Sequence, residues 1–177
     1  MILDAVTQLQ DLAMDSILAE QGKESGTVIS QRAWGMISGK MKTWIVNYRD
    51  LIDDGIHVVF LAHTRKNAGE ESEDDEVNPD FGPRVMPSVA SVLEAAVKLT
   101  GNTFIREQYK RTDDNKKIRQ VDYCMRLGPH GFYDTKIRLP KGTYVPDILI
   151  DPTYDKLMQI IKGEFQPAVR KAIKRRK

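Results

Sequence analysis

At 177 residues the chain is long enough for one domain of ordinary size with a real core, and the length argues against two large ones. With 41% hydrophobic and 29% charged residues, no apolar run long enough to span a bilayer and no basic-then-apolar leader, the sequence predicts a globular, cytoplasmic protein without a membrane partner. A lone cysteine, Cys124, excludes an internal disulfide and a cysteine-cluster metal site, while the net charge of +2 says little until its distribution is followed.

The opening, Met1-Ile2-Leu3-Asp4-Ala5-Val6, is a short apolar run with one acid inside it, and it predicts a strand over 2–6 that starts with no turn or cap before it. Burying an ionised carboxylate costs several kcal/mol unless something pairs with it, so Asp4 either meets a divalent metal, or a water on one, or marks a wet strand end. Leu9, Leu12, Ala13, Ile17 and Leu18 then fall at helical spacing over 7–20, and Gly22 and Gly26 among polar residues predict a loop. The clearest helix follows, because Ile37, Met41, Trp44, Ile45, Tyr48, Leu51 and Ile52 make one apolar stripe with Lys40, Lys42, Asn47, Arg49 and Asp50 off it. Through Gly55 it leads into residues 56–62, Ile-His-Val-Val-Phe-Leu-Ala, which read as a strand buried on both faces of a parallel sheet, reached by a right-handed crossover. Its C-terminal end presents His63, Thr64, Arg65 and Lys66 where open α/β sheets bind ligands; an ordinary solvated loop is the plainer reading of the same four residues.

Residues 70–76 are a block of acid, and Asn78-Pro79-Asp80-Phe81-Gly82-Pro83 is dense with helix and strand breakers. A helix is predicted from Pro87, with Val89, Val92, Leu93 and Ala96 on its inner face. Residues 103–111 and 117–127 read as antiparallel strands joined by Thr112-Asp113-Asp114-Asn115-Lys116, a hairpin turn in composition. After the Gly128-Pro129-His130-Gly131 turn come a strand over 133–139, an extended passage through Pro140, Gly142 and Pro146, and a helix from about Pro152 to Ile161. The chain closes on Arg170-Lys171-Ala172-Ile173-Lys174-Arg175-Arg176-Lys177, so the predicted organisation is a core over 1–162 and a basic tail over 163–177. The tail suits either phosphate contacts or a solvated helix end.

An apolar strand ending in Asp, a long helix, and an apolar strand ending in polar residues follow one another as in the second half of a RecA-like P-loop ATPase core. Ile2-Leu3-Asp4-Ala5-Val6-Thr7-Gln8-Leu9 resembles a Walker B strand. The stretch from Trp34 to Arg65 is similar to the helix and sensor strand of phage-encoded RecA-like nucleotide-binding proteins, which are linked to single-stranded DNA annealing and recombination. The similarity continues through Asp134-Thr135-Lys136-Ile137-Arg138 to Asp151-Pro152, where such proteins carry a Lys-x-Arg pair before a Pro-rich exit. It covers most of the chain, and the ordered succession carries more weight than any single motif. The implied fold class is α/β: a partial RecA-like (P-loop NTPase) core, with parallel strands and crossover helices followed by antiparallel strands.

What the resemblance implies for the site can be carried over by position. Asp4 would hold Mg²⁺ through water, Asp4 and Thr64 would contact the nucleotide, and His63 would sense the γ-phosphate. Lys136 and Arg138 would reach across a subunit boundary to the neighbour's ATP, which implies a homo-oligomer. Arg65, Lys66 and Arg84 border the place of a DNA-contacting loop, and Lys171, Lys174 and Arg175 of the tail add further candidate contacts to single-stranded DNA. The acid at 70–76 repels the same backbone, and suits a basic partner or a solvated loop instead. ATP and Mg²⁺ are the implied cofactors, and the cytoplasm of a bacterial host the implied setting.

One departure is an absence. No Gly-x-x-x-x-Gly-Lys-Ser/Thr occurs, and the two Gly-Lys pairs, Gly22-Lys23 and Gly39-Lys40, lack the loop that forms a phosphate nest. The strand that carries the catalytic glutamate in RecA-like enzymes is missing too. The expectation is therefore an ATPase only when a phosphate-loop half is supplied, from a longer polypeptide or a complementary chain, with the isolated chain inactive. The alternative is a non-catalytic DNA- or protein-binding module derived from that fold.

Overall fold

In the computed structural model, which describes residues 1–66, 81–111 and 116–166, the first apolar run becomes a strand and the helical stripes pack against it. The chain divides into two compact units, Met1–Val97 with Gly131–Asp134 and Lys98–His130 with Thr135–Lys177.

The first unit begins with β1 (Ile2–Asp4), α1 (Val6–Glu20) and α2 (Gln31–Asp50), and continues through a 3-10 turn (Leu51–Asp54) into β2 (Val59–Leu61). The β1 and β2 strands pair in parallel, with Ile2 opposite Val59, Leu3 opposite Phe60 and Asp4 opposite Leu61. Two parallel strands cannot be joined by a tight turn, and the α1–α2 excursion is the connection this pairing needs. Ser30 starts α2 by accepting the Ala33 N–H on its hydroxyl at 3.2 Å, and Gly55, at φ 75°, ends the 3-10 turn in the left-handed conformation that glycine tolerates best. Along α2, Ala33, Ile37, Met41 and Ile45 recur every four residues and are buried. Each of the three larger ones, removed from water, contributes about 1.5–3 kcal/mol. They pack with Val6, Ala13 and Ile17 of α1, with Val85, and with Val89 and Leu93 of α3 (Pro87–Ala96), and Phe60 of β2 sits against this cluster.

Three expectations are corrected here. The run 56–62 is not buried on both faces: Val59 and Leu61 are 37% and 41% exposed, and Ile2 on the neighbouring strand is 66% exposed. The cause is that this sheet has two strands among the described residues, and the helical cluster covers only the face that carries Phe60. The strand is also shorter than predicted, and Ile56 is exposed before it begins. In α1 the core-facing set is Val6, Leu9, Ala13 and Ile17, which leaves Leu12, counted in the stripe, exposed on the flank.

Beyond β2 the chain forms β3 (Thr64–Lys66) and β4 (Phe81–Pro83), an antiparallel pair with Arg65 opposite Gly82. Phe81 stacks on Tyr133 at a centroid distance of 5.1 Å, and its N–H and C=O bond to the Phe132 carbonyl and the Asp134 N–H, which accounts for residues 131–134 joining this unit.

The second unit is antiparallel, as the pattern predicts. The ten-residue strands β6 (Asn102–Arg111) and β7 (Lys117–Arg126) pair along their whole length, β7 also pairs with β9 (Ile148–Ile150), and β5 (Leu99–Thr100) pairs with β8 (Lys136–Ile137). Its core is Leu127, Leu149 and Ile160, the last from α4 (Tyr154–Lys162), with Leu99, Met125, Ile137, Leu157 and Phe165 around them. Thr153 caps α4 by accepting the Lys156 N–H, and Gly163 at φ 75° terminates it. Among the described residues no helix is long and apolar enough to cross a membrane.

Candidate functional site

Parallel pairing puts the C-terminal ends of β1 and β2 on one edge of the first unit. Asp4 is the last residue of β1 and is exposed, so its carboxylate carries no burial cost that a partner has to offset. From Leu61, its pairing partner, the chain runs through Ala62 to His63 and Thr64, both exposed at the entry to β3.

The main chain of His63 is held from two sides. Its N–H donates to the Thr7 hydroxyl at 3.1 Å, and its carbonyl accepts the Arg84 N–H at 2.7 Å. Thr7 lies in the first turn of α1, only 3% exposed, where a hydroxyl without a partner would carry a desolvation penalty. The bond therefore ties the β1–α1 junction to the β2–β3 junction. A second clamp of the same kind lies alongside, where Gln10 of α1 accepts the Met86 N–H at 2.7 Å and fixes the start of α3. Neither Thr7 nor Gln10 stood out in the sequence. The signal that was available is a small hydroxyl residue directly after an apolar strand, at the start of a helix.

Arg65 and Lys66 belong to strand β3 rather than to a loop, which corrects that expectation; a two-strand ladder with Phe81–Pro83 sets their backbone. Lys66 and Arg84 are exposed, whereas Arg65 is half-buried and its Nε has no hydrogen-bond acceptor among the described residues. His63, Thr64, Arg65, Lys66 and Arg84 are thus brought together by one short stretch of antiparallel backbone. Among the described residues no three His, Cys, Asp or Glu side chains converge to hold a metal ion. At this edge Asp4 is the exposed carboxylate that a hydrated Mg²⁺, which takes one or two carboxylates beside substrate phosphates, would need.

The remaining candidates lie elsewhere. Lys136 and Arg138 are in the second unit, Lys136 opposite Thr100, and the Arg138 N–H donates to the Lys98 carbonyl at 2.8 Å. Ile137 between them packs into the core, so strand alternation puts both cations on the other face. Lys171, Lys174, Arg175 and the acidic block at 70–76 lie outside the described residues.

The second unit also contains a charged cluster that the sequence did not single out. Asp122 of β7, 8% exposed, accepts from the Gln120 amide at 2.7 Å and from Arg106 Nη2 at 3.0 Å, with Gln108 farther off at 3.5 Å. The Gln120 amide first, and the Arg106 guanidinium next, hold the Asp122 carboxyl below its ordinary range. On the same face Arg126 stands over the Phe104 ring, 5.1 Å from its centroid.

The family model described as an AAA domain matches residues 1–139, which is 139 of the 177 residues. No curated protein and no solved structure matches the chain.

Proposed function

The chain belongs to the AAA domain family, a nucleotide-binding, ATPase-like class of domain, and from that membership we propose that it is the C-terminal portion of a RecA-like ATPase acting on single-stranded DNA in phage recombination or replication. ATP is hydrolysed at the boundary between subunits of a homo-oligomer, and only when a phosphate-loop half is supplied. The observation that carries this reading is the parallel pairing of β1 with β2. It supports Asp4 and His63 serving one crevice, because ligands of open α/β sheets gather at the carboxyl ends of the strands.

In this arrangement Asp4 would hold Mg²⁺ through water and Thr64 would contact the nucleotide; bound there, the ion would offset charge on the phosphate oxygens. His63 donates an imidazole N–H to a γ-phosphate oxygen. Its backbone is pinned by Thr7 on one side and by Arg84 on the other, so a displacement at His63 is passed to the turn that follows β4 and not dissipated. Arg65, Lys66 and Arg84 then report nucleotide state to the DNA. Lys136 and Arg138 serve the neighbouring subunit's ATP, where fixed cations stabilise charge that develops on phosphoryl transfer.

The test is calorimetric titration of Mg-ATP into the 177-residue chain and into a polypeptide that also carries a Gly-rich loop ending in Lys-Ser/Thr. The chain alone is expected to show no measurable affinity, and the longer polypeptide to bind and hydrolyse. In the latter, Asp4→Asn and His63→Ala should each lower kcat by about 10²-fold, the size of effect that follows loss of one charge-stabilising contact. Micromolar ATP binding by the chain alone contradicts the role given to the absent loop. Because that loop is absent from these residues, a second reading is kept: a non-catalytic binding module that retains the sensor side of the fold.

A further inference from the structure

We infer that the outward face of the β6–β7 hairpin binds single-stranded nucleic acid, with bases stacked on Tyr109 and Tyr123 and the backbone met by Arg111 and Lys117. The inference rests on the single-stranded DNA reading above for the class of partner, and departs from it in the place of contact.

The antiparallel register assigns this face without ambiguity. Its rungs are Ile105 with Tyr123, Glu107 with Val121, Tyr109 with Arg119, and Arg111 with Lys117. Tyr109 is 66% exposed, Tyr123 62% and Ile105 60%, so two aromatic rings and an aliphatic neighbour are left in water on a regular ladder. One same-face rung, Glu107 with Val121, lies between those of the tyrosines, which puts them about 13 Å apart along the strands, so each ring takes its own base and they do not share one. An open hollow of about 330 Å³, lined by Thr103, Ile105, Tyr123 and Pro152 among others, lies beside Tyr123.

Charge decides between occupants. Three cations and one acid occupy these rungs, and Arg119 and Glu107 pair with each other, Arg119 Nε lying 3.2 Å from Glu107 Oε2, so Arg111 and Lys117 give the face its net positive charge. Ile105, Tyr123 and Val121 adjoin at one end of the ladder, whereas Tyr109 at the other stands among Glu107, Arg119, Arg111 and Lys117. The core of a protein–protein contact is depleted of charge, whereas surfaces that track a single strand interleave cations with exposed rings. The opposite face explains why this one is presented rigidly. Arg106 of β6, bonded to Asp122 of β7, fastens the two strands from behind, so little ordering is left to be done on binding.

The test is fluorescence anisotropy of a labelled oligothymidine with the full chain, comparing wild type with the pair Tyr109→Ala and Tyr123→Ala and with the corresponding Phe pair. The Ala pair is expected to bind at least ~10-fold more weakly and the Phe pair to stay within about twofold, since stacking needs the ring and not the hydroxyl. Thermal unfolding of each variant controls for folding, and Tyr109→Ala alone replaces the pair should the pair not fold. Undiminished binding by the Ala variants overturns the hairpin site while leaving the DNA reading in place. No binding by wild type removes both. Should the Ala pair instead turn a dimer into a monomer with DNA binding kept, the face is a contact between copies and the inference fails.

Discussion

Gly128 is where one missing methyl group determines whether two segments of the second unit can meet. The N–H groups of Leu127 and Gly128 both donate to the Asp147 carbonyl, at 2.9 and 3.3 Å, which brings the backbones within direct contact. A Cβ on residue 128 would collide with Asp147 Oδ1 and stand 3.0 Å from Asp147 Cα, and backbone cannot swing aside as a flexible side chain can. Gly128→Ala is expected to destabilise the protein by about 1–3 kcal/mol, read as a lowered urea midpoint with unchanged slope. Gly35, inside α2 with nothing within 4 Å of the place a Cβ would take, is the control, and Ala there should be neutral or add up to about 1 kcal/mol. Equal midpoints for the two variants would show that the 127–147 contact is looser than its geometry. At this scale the sequence was partly legible. Asp4 and His63 stood out because a charge or an imidazole at the end of an apolar run is chemically conspicuous. Thr7 did not, since its partner is 56 residues away and nothing local distinguishes it from any helix-start threonine.

The β6–β7 hairpin is the element whose stability is tied to one titrating group. Asp122 is held ionised by Gln120 and Arg106, so its carboxyl takes up a proton less readily in the fold than in the unfolded chain. The unfolded state therefore binds more protons on the acid side. The contribution is complete above the ordinary aspartate range and is lost as pH falls through the lower folded value. Thermal midpoints measured between about pH 5 and pH 3 should fall more steeply for wild type than for Asp122→Asn, which starts less stable and gives the flatter curve. Parallel curves would mean that other carboxylates control acid unfolding. Both hairpin strands, α3 and α4 were legible to within a residue or two, because alternation, Pro87 and the Pro152-Thr153 start are local signals that tertiary packing did not override. The exposure of β2 was not legible. Apolar residues say that a face can be buried, and only the neighbours that are present say whether it is.

For the whole molecule, attraction to a nucleic-acid strand divides into a part that salt screens and a part that it does not. In the proposed single-strand reading, cations at Arg65, Lys66 and Arg84, and those of the tail, would act by displacing counterions, and for single strands each phosphate so neutralised adds about 0.7 to the slope of log K against log salt. Stacked tyrosines add affinity with no such dependence. Deleting residues 170–177 removes six cations, Arg170, Lys171, Lys174, Arg175, Arg176 and Lys177. With half or more of them engaged, the slope should flatten by about 2–4, whereas the Tyr109→Ala and Tyr123→Ala pair should lower the line without tilting it. Titrations of the labelled oligothymidine over a range of salt concentrations separate the two, because one variant rotates the plot and the other displaces it. An unchanged slope after the deletion would take the tail out of the interaction, and a tilt in the tyrosine pair would mean that those positions act through the neighbouring cations instead of through their rings.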